Sequence, residues 1–251
     1  MLLKRNEVQI QGDLVIKSFF SPEKMAGEIF GLTMGNLIGG NCPELLGSRG
    51  GNLLIKKLSN KITAFEATQT NLISLNEIND FISLFCNQSL FAFRNFDVSI
   101  LQNSFNVKIK NLIRNFMFNK LIIVENTSQE YFNNLIKGLN SLLEIKFENF
   151  CLVHRDIQLK NILVDTNDKS ISLIDFEHSI IGPIELEFQN SIFWNDVYSV
   201  DSKFINSNIV GFNKKFEKML SPFFICEQIL EAINLNDVSK LKLIFLRTKD
   251  F

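Results

Sequence analysis

The chain is poor in several residue types that would each point to a function. Two histidines, His154 and His178, in 251 residues are too few for a zinc site built on imidazoles. The four cysteines, Cys42, Cys86, Cys151 and Cys226, are scattered, with no Cys-x-x-Cys pair. Thiols so placed read as free and mostly buried, as in a reducing cytosol. Neither sign of charge dominates: a formal net charge of −1 removes the electrostatic reason to expect a nucleic-acid or membrane partner. No apolar run approaches the roughly 18 residues of a membrane span. The opening Met-Leu-Leu-Lys-Arg-Asn-Glu lacks the continuous apolar stretch of a signal peptide. Tandem repeats and low-complexity linkers are absent too. The expectation is a soluble cytoplasmic protein; at this length a chain buries about 70–75% of its unfolded surface, as one large domain or two tightly joined lobes.

What the chain does carry is concentrated between Cys151 and Gly182. Leu152-Val153-His154-Arg155-Asp156 is followed by Ile157-Gln158-Leu159-Lys160-Asn161 and the apolar run Ile162-Leu163-Val164. A second piece reads Ile171-Ser172-Leu173-Ile174-Asp175-Phe176-Glu177. Asp156 and Asp175 both end short apolar, β-branched runs, where packing supplies no reason for a carboxylate. Asp165-Thr166-Asn167-Asp168-Lys169 between them reads as a turn joining two strands.

The spacing is therefore a carboxylate at a strand end, an amide five residues on, and a second carboxylate 19 residues after the first. Phosphoryl transfer from ATP uses such parts. One carboxylate orients or receives the proton of the attacking hydroxyl, and oxygen ligands hold Mg²⁺ against the phosphates. Taken singly, Asp156 is equally a turn former and Asp175 a strand-end cap.

His-Arg-Asp with Asn161 at the fifth following position, then Asp-Phe-Glu, resembles the catalytic and metal loops of the protein-kinase-like fold. Protein kinases usually carry Lys where Gln158 stands and Gly where Glu177 stands, and no Ala-Pro-Glu follows here. Ile174-Asp175-Phe176-Glu177 with Gly182-Pro183 is instead similar to the aminoglycoside phosphotransferase-like family of small-molecule kinases, which includes choline, homoserine and amino-sugar kinases. The resemblance implies an α+β, bilobal fold, with a small β-rich N-lobe over residues 1–59 and a mainly helical C-lobe over 60–251. It implies ATP and Mg²⁺ as cofactors and a small-molecule hydroxyl as acceptor: a sugar, amino sugar, amino alcohol or aminoglycoside. Asp156 takes the role of catalytic base, and Asn161 and Asp175 those of Mg²⁺ ligands. His154 and Arg155 are assigned to structure, Arg155 standing where aminoglycoside kinases commonly have Gly. Glu187 is the acid that caps the catalytic loop.

Residues 7–20 alternate as a strand pair around Gln11-Gly12-Asp13, which puts Lys17 inside the second strand. That is the place of the nucleotide-binding lysine, whose ammonium meets the α- and β-phosphates; the alternative is a solvated strand-face lysine. Ser21-Pro22-Glu23 starts a helix. Glu28 is the candidate partner for Lys17, with Glu23 the rival on the same helix. Cys42–Gly47 reads as a turn and Gly50–Leu58 as a hairpin strand that ends near a hinge at Leu58-Ser59-Asn60.

Kinase-like folds place a glycine-rich loop ahead of the lysine hairpin. Sixteen residues precede Lys17 here, with Gly12 the one glycine among them, and Lys4-Arg5-Asn6-Glu7-Val8 resembles the trailing edge of that loop. The phosphate cover is thus expected to be truncated, completed by residues upstream, or lost together with activity. The last case defines the alternative function, a pseudokinase-like nucleotide-binding or scaffold protein; a protein kinase ranks third. Helices are expected over 68–90 and 128–146, the latter with an apolar stripe at Tyr131, Leu135, Leu139, Leu142 and Leu143. A helical stretch is expected around 107–114, and further helices from Ser221 to Leu235 and from Asp237 to Leu246.

Overall fold

The computed structural model of the chain describes residues 6–249. Lys4 and Arg5, from the segment read as the edge of a glycine-rich loop, lie outside the described residues. These residues form two compact units, one from 6–95 and 149–212, the other from 96–148 and 213–249.

The first unit opens with a hairpin, β1 (Glu7–Gln11) and β2 (Leu14–Ser18), paired so that Val8 faces Lys17. Its turn needs a left-handed residue, and Gly12 supplies it at φ 59°. Ser21 caps α1 (Pro22–Leu37) by accepting from the Lys24 N–H, with Pro22 in the first turn. A second hairpin, β3 (Leu45–Arg49) and β4 (Asn52–Lys56), completes an antiparallel sheet in the order β1-β2-β4-β3. Leu45–Gly47 is thus strand rather than turn. Its register shifts between Leu45 and Gly47, an irregularity that breaks the period-two pattern.

β5 (Lys61–Thr63) leads into α2 (Ala64–Gln69) and α3 (Leu75–Phe93). The helix expected over 68–90 is two helices, parted where Asn71 turns left-handed at φ 55°. Each helix has its own capping box, Thr63 with Glu66 and Ser74 with Glu77, so each begins as a separate nucleus.

The helical unit starts with α4 (Val98–Phe118), α5 (Lys120–Asn126) and α6 (Gln129–Leu142). Helix extends well beyond 107–114: Leu101, Phe105, Ile109, Leu112 and Phe116 recur at helical spacing and are buried. The asparagines and lysines between them dilute the pattern. On α6 Tyr131, Leu135, Leu139 and Leu142 of the expected stripe are buried, while Leu143, which caps the helix end, is half-buried.

Back in the first unit, β6 (Phe150–Val153) pairs with β9 (Ile180–Pro183), and β7 (Ile162–Asp165) with β8 (Ile171–Leu173) and β5. α7 (Gln189–Trp194) and α8 (Ser202–Ser207) follow. α9 (Lys214–Met219), α10 (Ser221–Asn234) and α11 (Val238–Thr248) finish the helical unit. There Phe116 stacks on Phe132 at 5.2 Å, and Phe105 meets Phe223 at 5.3 Å and Phe147 at 5.7 Å. The class is α+β, with a small antiparallel sheet first and mainly helices after it.

Candidate active site

The site is built on two strand ends in the first unit. Cys151, Leu152 and Val153 of β6 are fully buried, so the chain leaves the core at His154 with a fixed direction. The His154 ring is itself buried and packs on Phe176 with centroids 4.4 Å apart. Its Nε2 donates to the Ile174 carbonyl at 2.9 Å, and its Nδ1 accepts from the Asp156 N–H at 3.3 Å. Both ring nitrogens are used only in the neutral imidazole, and burial lowers its pKa accordingly.

Two residues of the site, Arg155 and Asp175, sit at φ 68°, a left-handed conformation that costs a side-chain-bearing residue about 1–3 kcal/mol. At the first position Glu187 holds the backbone. Its carboxylate accepts from the His154 N–H at 2.7 Å and the Arg155 N–H at 2.6 Å. Burial pushes Glu187 up to about 7, against those two N–H bonds.

Asp156 follows, held by three amides. Gln158 Nε2 donates to Oδ1 at 2.5 Å, Asn190 Nδ2 also donates to Oδ1, and Asn161 Nδ2 donates to Oδ2 at 2.7 Å. Burial raises the Asp156 pKa above the ordinary carboxylate range. Asn161 Nδ2 donates as well to the Asp156 carbonyl at 2.9 Å. The Asn161 carbonyl in turn accepts from the Ile174 N–H at 3.0 Å, tying the first loop to the residue before Asp175.

Lys17 is the centre of the second cluster. Its Nζ lies 3.0 Å from Glu28 Oε2, pairs with Asp175 Oδ1 and stands 3.4 Å from Glu177 Oε2. Burial alone would lower the ammonium pKa, but Asp175, Glu28 and Glu177 reverse this and hold it above the usual lysine range. One ammonium does not neutralise three carboxylates, and the most deeply buried carries the excess: burial pushes Glu28 up to about 7 despite Lys17. Burial opposes ionisation of Glu177 too. His178 at 3.4 Å, Lys17 and Lys24 at 2.9 Å outweigh it and hold Glu177 well below the carboxylate range.

The structure therefore brings Lys17, Glu28 and Asp175 together, and Asp156 with Asn161. Glu23 is elsewhere: its carboxylate accepts from the Ser21 hydroxyl at 2.8 Å. Gln158, Asn190 and Glu177 join the clusters without having been singled out as site residues. Gln158 and Glu177 were visible as departures from the protein-kinase pattern; Asn190, 34 residues beyond Asp156, carries no sequence signal. Among the described residues no three or more His, Cys, Asp or Glu side chains are grouped to hold a metal ion. The donor set nevertheless suits a hard cation that keeps water and phosphate ligands. The Asp175 carboxylate is 36% exposed, and the Asn161 nitrogen is committed to Asp156, which leaves its oxygen to offer.

Residues 125–205 match the family model of the phosphotransferase enzyme family. The fold is similar to that of an aminoglycoside 2′-phosphotransferase in a GDP complex, with TM-score 0.64, 14% identity, and coverage of 99% of this chain and 91% of that one. It is similar also to a choline/ethanolamine kinase family protein from Mesorhizobium loti, with TM-score 0.60, 14% identity and coverage of 100% and 86%. A thermostable aminoglycoside phosphotransferase in ternary complex with AMP-PNP and hygromycin B gives TM-score 0.65, 12% identity and coverage of 100% and 91%. No curated protein matches the chain. The fold is the protein-kinase-like fold that these neighbours share, and the match to the phosphotransferase family lies in residues 125–205. Ile174-Asp175-Phe176-Glu177, on which the resemblance was read, lies within the matched residues.

Proposed function

We propose that the chain is an ATP- and Mg²⁺-dependent phosphotransferase that phosphorylates a hydroxyl of a small molecule, such as a sugar, amino sugar, amino alcohol or aminoglycoside. The observation that carries this reading is the joining of two clusters, Lys17–Glu28–Asp175 and Asp156–Asn161, through the Asn161 carbonyl and the Ile174 N–H. A cationic group, a part-exposed carboxylate, an amide oxygen and a second carboxylate, brought together by the fold, are the parts that phosphoryl transfer uses. One structural neighbour is in ternary complex with AMP-PNP and another in a GDP complex, which supports a nucleotide as the phosphoryl donor, ATP in this reading.

In this reading Asp175 and Asn161 hold Mg²⁺, which supplies charge neutralisation on the phosphates. Lys17, fixed by Glu28, presents its ammonium to the same phosphates from residues 1–59, the proposed nucleotide-binding lobe. Asp156 accepts a hydrogen bond from the acceptor hydroxyl and takes its proton as the new O–P bond forms. The bond to the leaving oxygen breaks in the same displacement.

Calorimetric titration of the chain with Mg-ATP tests the reading, with Asp175→Ala alongside. Binding to the wild type that is lost or strongly weakened in Asp175→Ala supports it. ATP consumption with members of a panel of sugars, amino alcohols and aminoglycosides then identifies the acceptor. Absence of Mg-ATP binding overturns the proposal, and binding with no consumption favours a pseudokinase-like binding protein.

A further inference from the structure

The catalytic loop is gripped by a single turn of chain from outside it. Glu187 accepts from the backbone N–H groups of His154 and Arg155 at 2.7 and 2.6 Å. Asn190, three residues on, donates to the side chain of Asp156. The Ser191 hydroxyl donates to the Ile157 carbonyl at 3.0 Å. Residues 154 to 157 are thus held in order by three side chains within five residues. That turn is anchored in turn, since Glu187, Gln189 and Ser191 are all buried.

The bonds on Asp156 divide its carboxylate. Each carboxylate oxygen offers about two acceptor directions. Oδ1 receives both Gln158 and Asn190; among the described residues Oδ2 receives Asn161 alone. One direction on Oδ2 is left for a substrate hydroxyl. Gln158 and Asn161 lie within five residues of Asp156 and move with its loop. Asn190 is the donor that ties the carboxylate to another element, α7.

We infer that Asn190 is a positioning residue of the phosphotransferase: from α7 it sets the rotation of the Asp156 carboxylate, so that Oδ2 faces the acceptor hydroxyl. The inference rests on the proposed function and adds to it a residue outside both kinase-like motifs. Reaction geometry is steep in distance, a misplacement of about 1 Å costing on the order of a hundredfold in rate. Without Asn190 the carboxylate keeps only Gln158 and Asn161, donors that move with its own loop.

The experiment compares the wild type, Asn190→Ala and Asn190→Leu, the last keeping the approximate shape of the side chain without its donor and without a new charge beside Asp156. ADP release is followed with Mg-ATP and the panel of sugars, amino alcohols and aminoglycosides, beside calorimetric Mg-ATP binding and thermal melting. The expected result is a fall in kcat of about ten- to a hundredfold in both variants. KM for ATP and the Mg-ATP Kd should stay at wild-type values, because no phosphate or metal contact is altered. A merely structural role would be served by leucine of similar shape, and would not separate kcat from nucleotide affinity. Wild-type kcat in either variant overturns the inference while the phosphotransferase reading stands. A parallel loss of nucleotide binding overturns it as well. A wild type that releases ADP with no acceptor in the panel brings down the parent reading, and this inference with it.

Discussion

Gly31 lies directly against Phe176: a β-carbon on Gly31 would fall inside the phenylalanine side chain. One turn earlier, a β-carbon on Gly27 would stand 2.7 Å from the Glu177 carbonyl oxygen, and one turn later Gly35 is close to the same ring. α1 therefore rests on the Asp-Phe-Glu loop by its backbone, and Glu28 on that helix is thereby within reach of Lys17.

Gly31→Ala tests that contact. In a helix interior the change should stabilise by about 0.5–1 kcal/mol. Here overpacking against the buried Phe176 is expected to reverse the sign, with a net loss of about 1–3 kcal/mol. Thermal melting reads the sign, and Mg-ATP calorimetry on the same variant should show weaker binding as Glu28 is drawn from Lys17.

Asp156→Ala separates chemistry from binding. In its proposed role of orienting and deprotonating the acceptor, its loss is expected to lower turnover by about 10²–10⁴-fold. Mg-ATP affinity should persist, since Lys17, Glu28 and Asp175 are intact. Steady-state kinetics beside calorimetry checks both halves; unchanged turnover removes Asp156 from the role of base.

Glu187→Ala should be a stability variant. It leaves the N–H groups of His154 and Arg155 without the acceptor that each now has. An unsatisfied buried donor costs about 1–3 kcal/mol, so a total loss on the order of 3 kcal/mol is expected in a urea titration. A midpoint equal to wild type would show that the loop holds its left-handed Arg155 by other means.

Glu28 predicts a pH dependence. Its pKa of about 7 in the fold lies above the ordinary carboxylate value, so between those values the unfolded chain ionises first and loses its proton. The native state then binds more protons, and stability falls as pH rises. The contribution is full below pH 4.5 and lost above about pH 7, with an upper bound of roughly 3 kcal/mol. Glu28→Gln, which does not titrate, should flatten this part of the curve. Urea midpoints at pH 5.5 and pH 8 for both proteins measure the difference, and parallel curves would sink the assignment.

The local features were legible because local chemistry specifies them. Gly12 between two alternating runs marked the β1–β2 hairpin, Ser21-Pro22 marked the start of α1, and the apolar stripe from Tyr131 to Leu142 marked a buried face of α6. The strand ends at Asp156 and Asp175 stood out because a carboxylate after a β-branched run has no packing reason to be there. Segment boundaries were less clear where the pattern was diluted or broken, as in the asparagine-rich α4 and the bulged β3.

The tertiary structure alone decided which distant groups meet. Glu23 and Glu28 share a helix and carry the same charge. Only the approach of α1 to β2 and Phe176, through Gly27 and Gly31, selects Glu28 for Lys17. Glu177 read as a departure from a motif, and its three basic neighbours, Lys17, Lys24 and His178, come from two other elements and the adjoining residue. Asn190 carried no signal, since an amide 34 residues from Asp156 is indistinguishable in sequence from the many solvated asparagines around it. Periodicity and turn chemistry act over a few residues and leave their mark in order along the chain. The rotation of a carboxylate is set by donors that only folding brings together.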